Sequence, residues 1–466
     1  MYQANTIKDR NVKLSSRHRF TKPEQDEILC ISTGQPSLPH RLSSRIFQPK
    51  FRRALVVFVD QCFYSITGFL TSILIAHTCS KSEYGLYVLG FTLLVIAMDI
   101  QVSLSGIPFT VLGPKLKHRE RQLYLGSTLI QHLAVSILTA AGFAIAALVL
   151  AVTNQMHGFS NILLTLAVAS VFVLLRDFIR CVLLSQFRVW SSLLMGLISN
   201  IATIGLMFWI YLSDKLTVPI GYLIMAACSG LTALTILLKE KRQIDFTIQM
   251  LREHIKINWT FGKWLAARSL VDFTALRLYP WALMLFKNSE DVAAYGVCVI
   301  LAGIINPLLL GLNRFLIPQA AYTACNKASG VHHEIYHWMT LIVIPLLIFL
   351  LLTVLFGEQA IVAIYGNKFA GIGYIFSIYL LSHIIAAQCI LICAGTNALK
   401  RPDISFRAEI AGLIATITLG LFFTYKWGTL GAVIGVCVSR FVAFVYQFIK
   451  FKSLEICCNK AILEVA

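Results

Sequence analysis

The chain is poor in charge. Only 13% of its 466 residues are Asp, Glu, Lys or Arg, about half the share found in soluble domains. Acids are scarcest, 22 against 40 Lys and Arg, while 57% of residues are hydrophobic. That balance excludes an ordinary soluble domain and points to a polytopic membrane protein. Strand-like alternation is lacking, which excludes an outer-membrane barrel and leaves helices as the spanning elements. The twelve cysteines include no CxxC pair. Cys62, Cys181, Cys228, Cys298 and Cys437 sit singly inside apolar runs, so all are read as small core hydrophobes, without a disulfide framework. The first 53 residues contain no apolar h-region and are not expected to be a cleavable signal peptide. No loop carries a nucleic-acid-binding module, and no nucleophile triad or phosphate-binding loop is apparent, so the chain is not expected to be an enzyme.

What is present is apolar length. A spanning helix needs about 20 apolar residues. Twelve such runs lie near 54–76, 86–112, 125–153, 161–184, 191–213, 216–238, 263–287, 292–316, 334–357, 372–395, 405–425 and 430–452. With the N-terminus inside, 29 Lys and Arg fall on the inner side and five on the outer, Lys81, Lys215, Lys287, Lys368 and Lys426. The asymmetry predicts both termini in the cytoplasm. The inner basic residues are also suited to anionic headgroups. The expected organisation is a basic, disordered tail over 1–53, a six-helix bundle over 54–238 and a cytoplasmic linker over 239–262. A second six-helix bundle over 263–452 and a cytoplasmic tail over 453–466 follow.

An internal repeat supports two halves. KSEYGLYVLG (81–90) enters the second run and EDVAAYGVCVILAG (290–303) enters the eighth. Aligning Tyr84-Gly85 with Tyr295-Gly296 gives an offset of 211 residues, and Asp60 then falls one position from the counterpart of Asp272. Each half has an even helix count, so the pseudo-twofold axis is predicted along the membrane normal, with a transport site between the halves.

Charges inside the runs mark the candidate site, because each costs roughly 2.5–3.5 kcal/mol at the bilayer centre on insertion scales. They are Asp60, Asp99, Arg176, Asp177, Arg180, Arg268, Asp272, Arg277, Arg314, Glu409 and Arg440. Arg176 and Arg180 share one helical face. Two readings stay open. Asp177–Arg180 and Arg268–Asp272 can be internal salt bridges that fix packing. Alternatively, Arg176, Arg180, Arg268, Arg277 and Arg440 line a basic cavity for an anionic substrate, for which the planar guanidinium fork is well matched. Asp60, Asp99, Asp177 and Asp272 are then the candidates for coupling or gating, with H+ or Na+ as the ion. No other cofactor is expected. His-Glu-Ile-Tyr-His (333–337) matches HExxH, but no convincing third ligand follows, as catalytic zinc requires.

DQCFYSITGFLTSILIAHTCSKSEYGLYVLGFTLLVI (60–96), VLLRDFIRCVLLSQFR (173–188) and IVAIYGNKF (361–369) resemble Wzx-type polysaccharide flippases. The resemblance covers about 54–455 and rests on loose motifs. It implies the fold of multidrug and toxic-compound exporters, two six-helix bundles in a V that work by alternating access. It also implies an undecaprenyl-diphosphate-linked oligosaccharide as cargo and location in the bacterial inner membrane. A polysaccharide polymerase machinery becomes a candidate partner. Arg176, Arg180, Arg277 and Arg268 would meet the diphosphate or acidic sugars. The long basic N-terminal segment departs from the family pattern. A drug exporter of the same fold is the nearest alternative, although an acidic cavity would suit cationic drugs better.

Overall fold

The structure is a computed structural model. It describes residues 49–463 except 154–156, 242, 243, 310, 311, 313–315, 317, 318, 321, 322, 324–327 and 400. Residues 1–48 of the expected tail over 1–53 lie outside the described residues, as does Arg314, while 49–53 are helical. Among the described residues every regular element is a helix. Ten helices are long and apolar enough to cross a membrane, and a shorter apolar stretch spans Phe273–Phe286.

The first half runs α1 Pro49–Thr78, α2 Lys81–Gln101, α3 His118–Val152, α4 His157–Ser185, α5 Val189–Tyr211 and α6 Val218–Lys239. The second runs α7 Ile248–Phe286, α8 Ser289–Ala302, α9 Ala328–Tyr365, α10 Gly373–Ala398, α11 Asp403–Ala415 and α12 Leu421–Leu463. Gly428 breaks α12 at φ 57°, ψ −131°, a conformation that glycine tolerates and other residues resist. Beyond it the chain packs back along α11, where Ser439 Oγ donates to the Gly412 carbonyl at 2.8 Å. The candidate span Asp403–Leu454 is therefore a helical hairpin.

Helix starts follow local chemistry. Ser80 caps α2 in a reciprocal box, its hydroxyl accepting from Glu83 N and its own N–H donating to Glu83 Oε2. Asn288 caps α8 through Asp291 N at 2.9 Å. α2 loosens into a π turn over Val102–Gly106 and resumes at Ile107–Leu112 with Pro108 in its first turn, where the missing N–H is tolerated.

α7 departs from the sequence expectation. The segment 248–262, expected within a linker, is helical and continuous with the apolar stretch, running through Pro280. Its polar residues are bonded to the first half. Asn258 accepts from Tyr124 and donates to Gln131 Oε1 at 2.8 Å. His254 Nδ1 lies 2.9 Å from Ser127 Oγ.

The repeated Tyr-Gly pairs are where α2 and α8 cross. A Cβ on Gly85 would collide with the Ser289 backbone, and one on Gly296 would collide with Val88. Ser82 and Ser289 hydroxyls bond at 2.6 Å. Tyr84 and Tyr295 are both fully buried. The largest buried cluster joins residues of both halves here, including Tyr84, Leu89, Tyr222, Tyr279, Tyr295 and Phe369. The connection after α9 adds a cation: Lys368 Nζ donates to the Cys79 carbonyl at 2.7 Å. One face of the protein, with the connections at 79–80, 287–288 and 366–372, is thus sealed between the halves. On the opposite face the N-terminal part of α7 makes the bonds to α3 just described.

Two predictions follow from these contacts. Gly85→Ala should destabilise the protein by about 1–3 kcal/mol, as overpacking does. Gly142→Ala, where a Cβ meets nothing within 4 Å, should not. Thermal melting in detergent compares them. Burial also holds the His254 imidazole below its ordinary 6.5. The unfolded ring then binds more protons than the folded one. Its contribution is present above the unfolded value and lost as pH falls toward and through the folded one. Protection factors over 248–262, measured relative to intrinsic exchange at each pH, should fall between pH 7.5 and 5.5, and His254→Gln should flatten that dependence.

Candidate functional site

Three helices of the first half bring the charges together. On α1, Asp60 and Tyr64 are four residues apart and share a face. On α4, Arg176 and Arg180 do the same. α5 packs alongside with a small residue where room is needed: a Cβ on Gly196 would sit 2.6 Å from Asp60 Oδ1. Glycine here lets the carboxylate reach between helices.

Arg180 grips Asp60. Its Nε and Nη2 lie 2.9 and 2.7 Å from Asp60 Oδ2, distances of a strong charge-assisted pair. Nη2 also donates to Gln61 Oε1 at 3.4 Å. Arg176 is held more loosely. Nη2 is 3.4 Å from Asp177 Oδ1, Nη1 is 3.5 Å from Ser199 Oγ, and the guanidinium sits 5.3 Å over the Tyr64 ring. Side-chain exposure is 6% for Asp60, 8% for Arg176, 12% for Asp177 and 24% for Arg180. The site is therefore a cluster of two arginines and two aspartates, with Asp60 and Arg176 buried and Asp177 and Arg180 half-buried, placed toward the face opposite the Gly85–Gly296 crossing.

This pairing differs from the sequence expectation. Asp177 was matched with Arg180 by spacing, and Arg176 was given no local partner. In the structure Arg180 turns to Asp60 on α1 and Asp177 neighbours Arg176. Helical spacing cannot foresee a partner that tertiary packing supplies. The cluster also balances its charges, where a basic cavity had been expected.

The remaining sequence-marked residues are spread out. Asp99 is on the exposed side of α2. Arg277 on α7 and Arg440 on α12 are half-buried. Arg440 lies within electrostatic reach of Tyr379, His383 and Cys389 on α10. There Tyr379 packs on His383 and Tyr295, with ring centroids 5.2 and 5.7 Å apart. The side chains of Arg268 and Asp272 lie outside the described residues, and so does their expected pairing. In the HExxH segment His333 and His337 are exposed, while the preceding His332 spends Nε2 on the Phe451 carbonyl at 3.1 Å and stacks on that ring. Among the described residues no group of three His, Cys, Asp or Glu could hold a metal ion.

Sequence reasoning missed a neutral polar knot beside the cluster. Gln101 Nε2, on α2, reaches both Nδ1 and the carbonyl of His132 on α3 at 2.7 Å. Ser105 and Ser136 close around them, and His132 stacks on Phe178 of α4 at 4.5 Å. The signal was available as Gln101 and His132, polar residues inside two apolar runs, but attention to formal charge passes over uncharged polar groups.

Breaking one partner of a buried pair strands the other. Asp60→Asn should therefore destabilise more than the Asp60→Asn/Arg180→Gln double variant implies by addition. A double-mutant cycle on thermal stability should return a coupling of about 0.5–3 kcal/mol.

No family model matches the chain, and no curated protein matches it in sequence. Solved structures do match in fold. An inward-facing multidrug-resistance MATE transporter of the MOP superfamily aligns with TM-score 0.65 and 11% identity, covering 86% of this chain and 96% of that one. The lipid II flippase MurJ, in an inward closed conformation, aligns with TM-score 0.67 and 15% identity over 85% and 87%. A MOP-superfamily transporter from Pyrococcus furiosus, described as having a binding pocket of reversed polarity, aligns with TM-score 0.59 and 13% identity over 87% and 95%. With the helical architecture and the membrane-competent helices, these similarities establish that the chain has the fold of MOP-superfamily membrane transporters.

Proposed function

We propose that the protein is a flippase that moves an anionic, lipid-linked oligosaccharide across the bacterial inner membrane by alternating access. The undecaprenyl-diphosphate-linked repeat unit of a surface polysaccharide is the cargo this reading favours. It takes the chain as twelve crossings in two bundles of six, counting both legs of the Gly428 hairpin and the Phe273–Phe286 stretch, with both termini cytoplasmic. In this reading the face opposite the Gly85–Gly296 crossing is the cytoplasmic one, where such cargo is made.

One observation carries the reading: Arg176 and Arg180 share a face of α4 and are held by carboxylates of unequal grip. Arginine is always charged and fits phosphate oxygens bidentately. A diphosphate reaching this cluster competes with Asp60 and Asp177 for the guanidinium groups. A displaced carboxylate in a low-dielectric site is costly unless it takes up a cation. Cargo binding and proton or sodium uptake at Asp60 are thereby linked by charge balance, with no separate ion site required. The undecaprenyl tail stays in the bilayer, so only the glycan and diphosphate need solvation. Arg277 and Arg440, on the other half, are suited to meet the cargo as the halves rearrange.

The test uses a deletion strain. Undecaprenyl-linked glycans are quantified by mass spectrometry and surface polymer is assayed. Lipid-linked units should accumulate and polymer should vanish. Wild type should restore both, while Arg176→Ala and Arg277→Ala at equal expression should restore about tenfold less, the loss of one charge-assisted contact. Unchanged glycans with raised drug sensitivity would instead assign the fold to a drug exporter.

A further inference from the structure

A second basic site lies on the face opposite the Gly85–Gly296 crossing, at the helix ends. A cavity of about 500 Å³ is lined by His118, Arg121, Gln186, Arg188 and Glu240. These residues stand at the ends of four membrane-competent helices: α3 begins at His118, α4 ends at Ser185, α5 begins at Val189 and α6 ends at Lys239. The cavity is therefore at headgroup depth. Nearby charge is one-sided. Lys115, Lys117, Arg119, Arg121, Arg188, Lys239 and Lys241 outnumber Glu120 and Glu240. Arg188 and Glu240 form a close pair at 2.6 Å, with Arg188 39% exposed.

Two further features mark the place. An apolar slot continues inward from the same Gln186, Arg188 and Glu240, between α3, α4 and α6. On α4 it uses Phe178, Ile179, Val182 and Leu183, of which Phe178 and Val182 point away from Arg176 and Arg180. At the rim, Phe187 is 67% exposed and Trp190 56% exposed. Phe187 has φ 58°, a left-handed backbone that a bulky residue adopts only under constraint. That turn presents its ring outward beside the basic mouth. Exposed aromatic rings at the end of spanning helices sit at the headgroup level.

We infer that this cavity is a binding site for the phosphate headgroup of an anionic bilayer phospholipid. Arg121 and Arg188 supply the charge and fork geometry for a phosphodiester. His118 and Gln186 add polar contacts, the acyl chains stay in the bilayer against the apolar helix ends, and Phe187 and Trp190 hold the mouth at the interface. Glu240 is the competitor: it occupies Arg188 when no lipid is bound. The site couples lipid to structure, because its residues come from four successive helix ends of the first half. It does not depend on the cargo assigned above.

The test reads lipid retention. Full-length protein is reconstituted in phosphatidylcholine nanodiscs with or without dioleoyl-phosphatidylglycerol, released, and examined by native mass spectrometry. Wild type should retain phosphatidylglycerol in preference to phosphatidylcholine. Arg121→Ala and Arg188→Ala should lower that retention by about tenfold, and Glu240→Gln should raise it. Lys450→Ala, a basic residue of the other half, should leave it unchanged. Melting temperatures establish that each variant is folded, and if Arg188→Ala is not, Arg121→Ala decides. Equal retention of the two lipids, retention unaffected in Arg121→Ala, or a fall in folded Glu240→Gln overturns the proposal. So does retention of added farnesyl diphosphate with no preference for phosphatidylglycerol, which would make the cavity a site for isoprenyl diphosphate.

Discussion

The close approach of α2 and α8 at Gly85 and Gly296 sets the geometry of both halves. Lipid tails are as apolar as leucine, so helices in a bilayer gain little by simply hiding apolar surface from each other. They associate where small residues let backbones approach and where polar groups bond across the gap. Both conditions meet at this crossing, with the Ser82–Ser289 bond at its edge and the largest buried cluster around it. The opposite face is joined differently, through Asn258, His254 and their partners on α3. Buried side-chain bonds such as those of Asn258 can be replaced one by one when water enters, whereas a backbone-to-backbone seat cannot be loosened by degrees. The two faces are thus unequal in what holds them, and a molecule that alternates must trade one kind of closure for the other.

The charge cluster obeys a second constraint, electrical balance. Two arginines cannot remain bare in a membrane, and Asp60 and Asp177 neutralise them. Balance makes the cluster tolerable but does not make it inert. Arg180 is held by short bonds from two of its nitrogens, while Arg176 has one long contact to each of two partners and a ring beneath it. The weaker grip leaves Arg176 the group more easily won by an incoming anion. Each carboxylate released by such an exchange then becomes a site of unpaired negative charge, where a cation is favoured.

Much of the scaffold was legible in the sequence. Apolar runs located the helices, and the two Tyr-Gly pairs marked a repeat. What the repeat did was not legible, because a spacing of 211 residues says that two segments correspond and not that they touch. The side chains of the candidate site were found by the cost of charge in hydrocarbon, yet their partners were not. Spacing along α4 offers Asp177 to either arginine, and only the lean of α1 onto α5 at Gly196 brings Asp60 to Arg180. Helix α7 was misread at its start for a related reason. Polar residues at 248–262 look like a linker until Tyr124, Ser127 and Gln131 are seen to satisfy them.

The two halves share a plan but not a chemistry. In the first half the buried polar groups of α1 and α4 are paired ions. In the second, Arg440 stands among tyrosine and histidine rings on α10. The duplicated scaffold therefore does not make the two interiors equivalent. One places its arginines 2.7–3.4 Å from carboxylates; the other sets Arg440 within electrostatic reach of Tyr379 and His383. Helices that correspond in the repeat thus present different chemistry to the space between the halves, because a repeat conserves where helices run and not what their side chains carry.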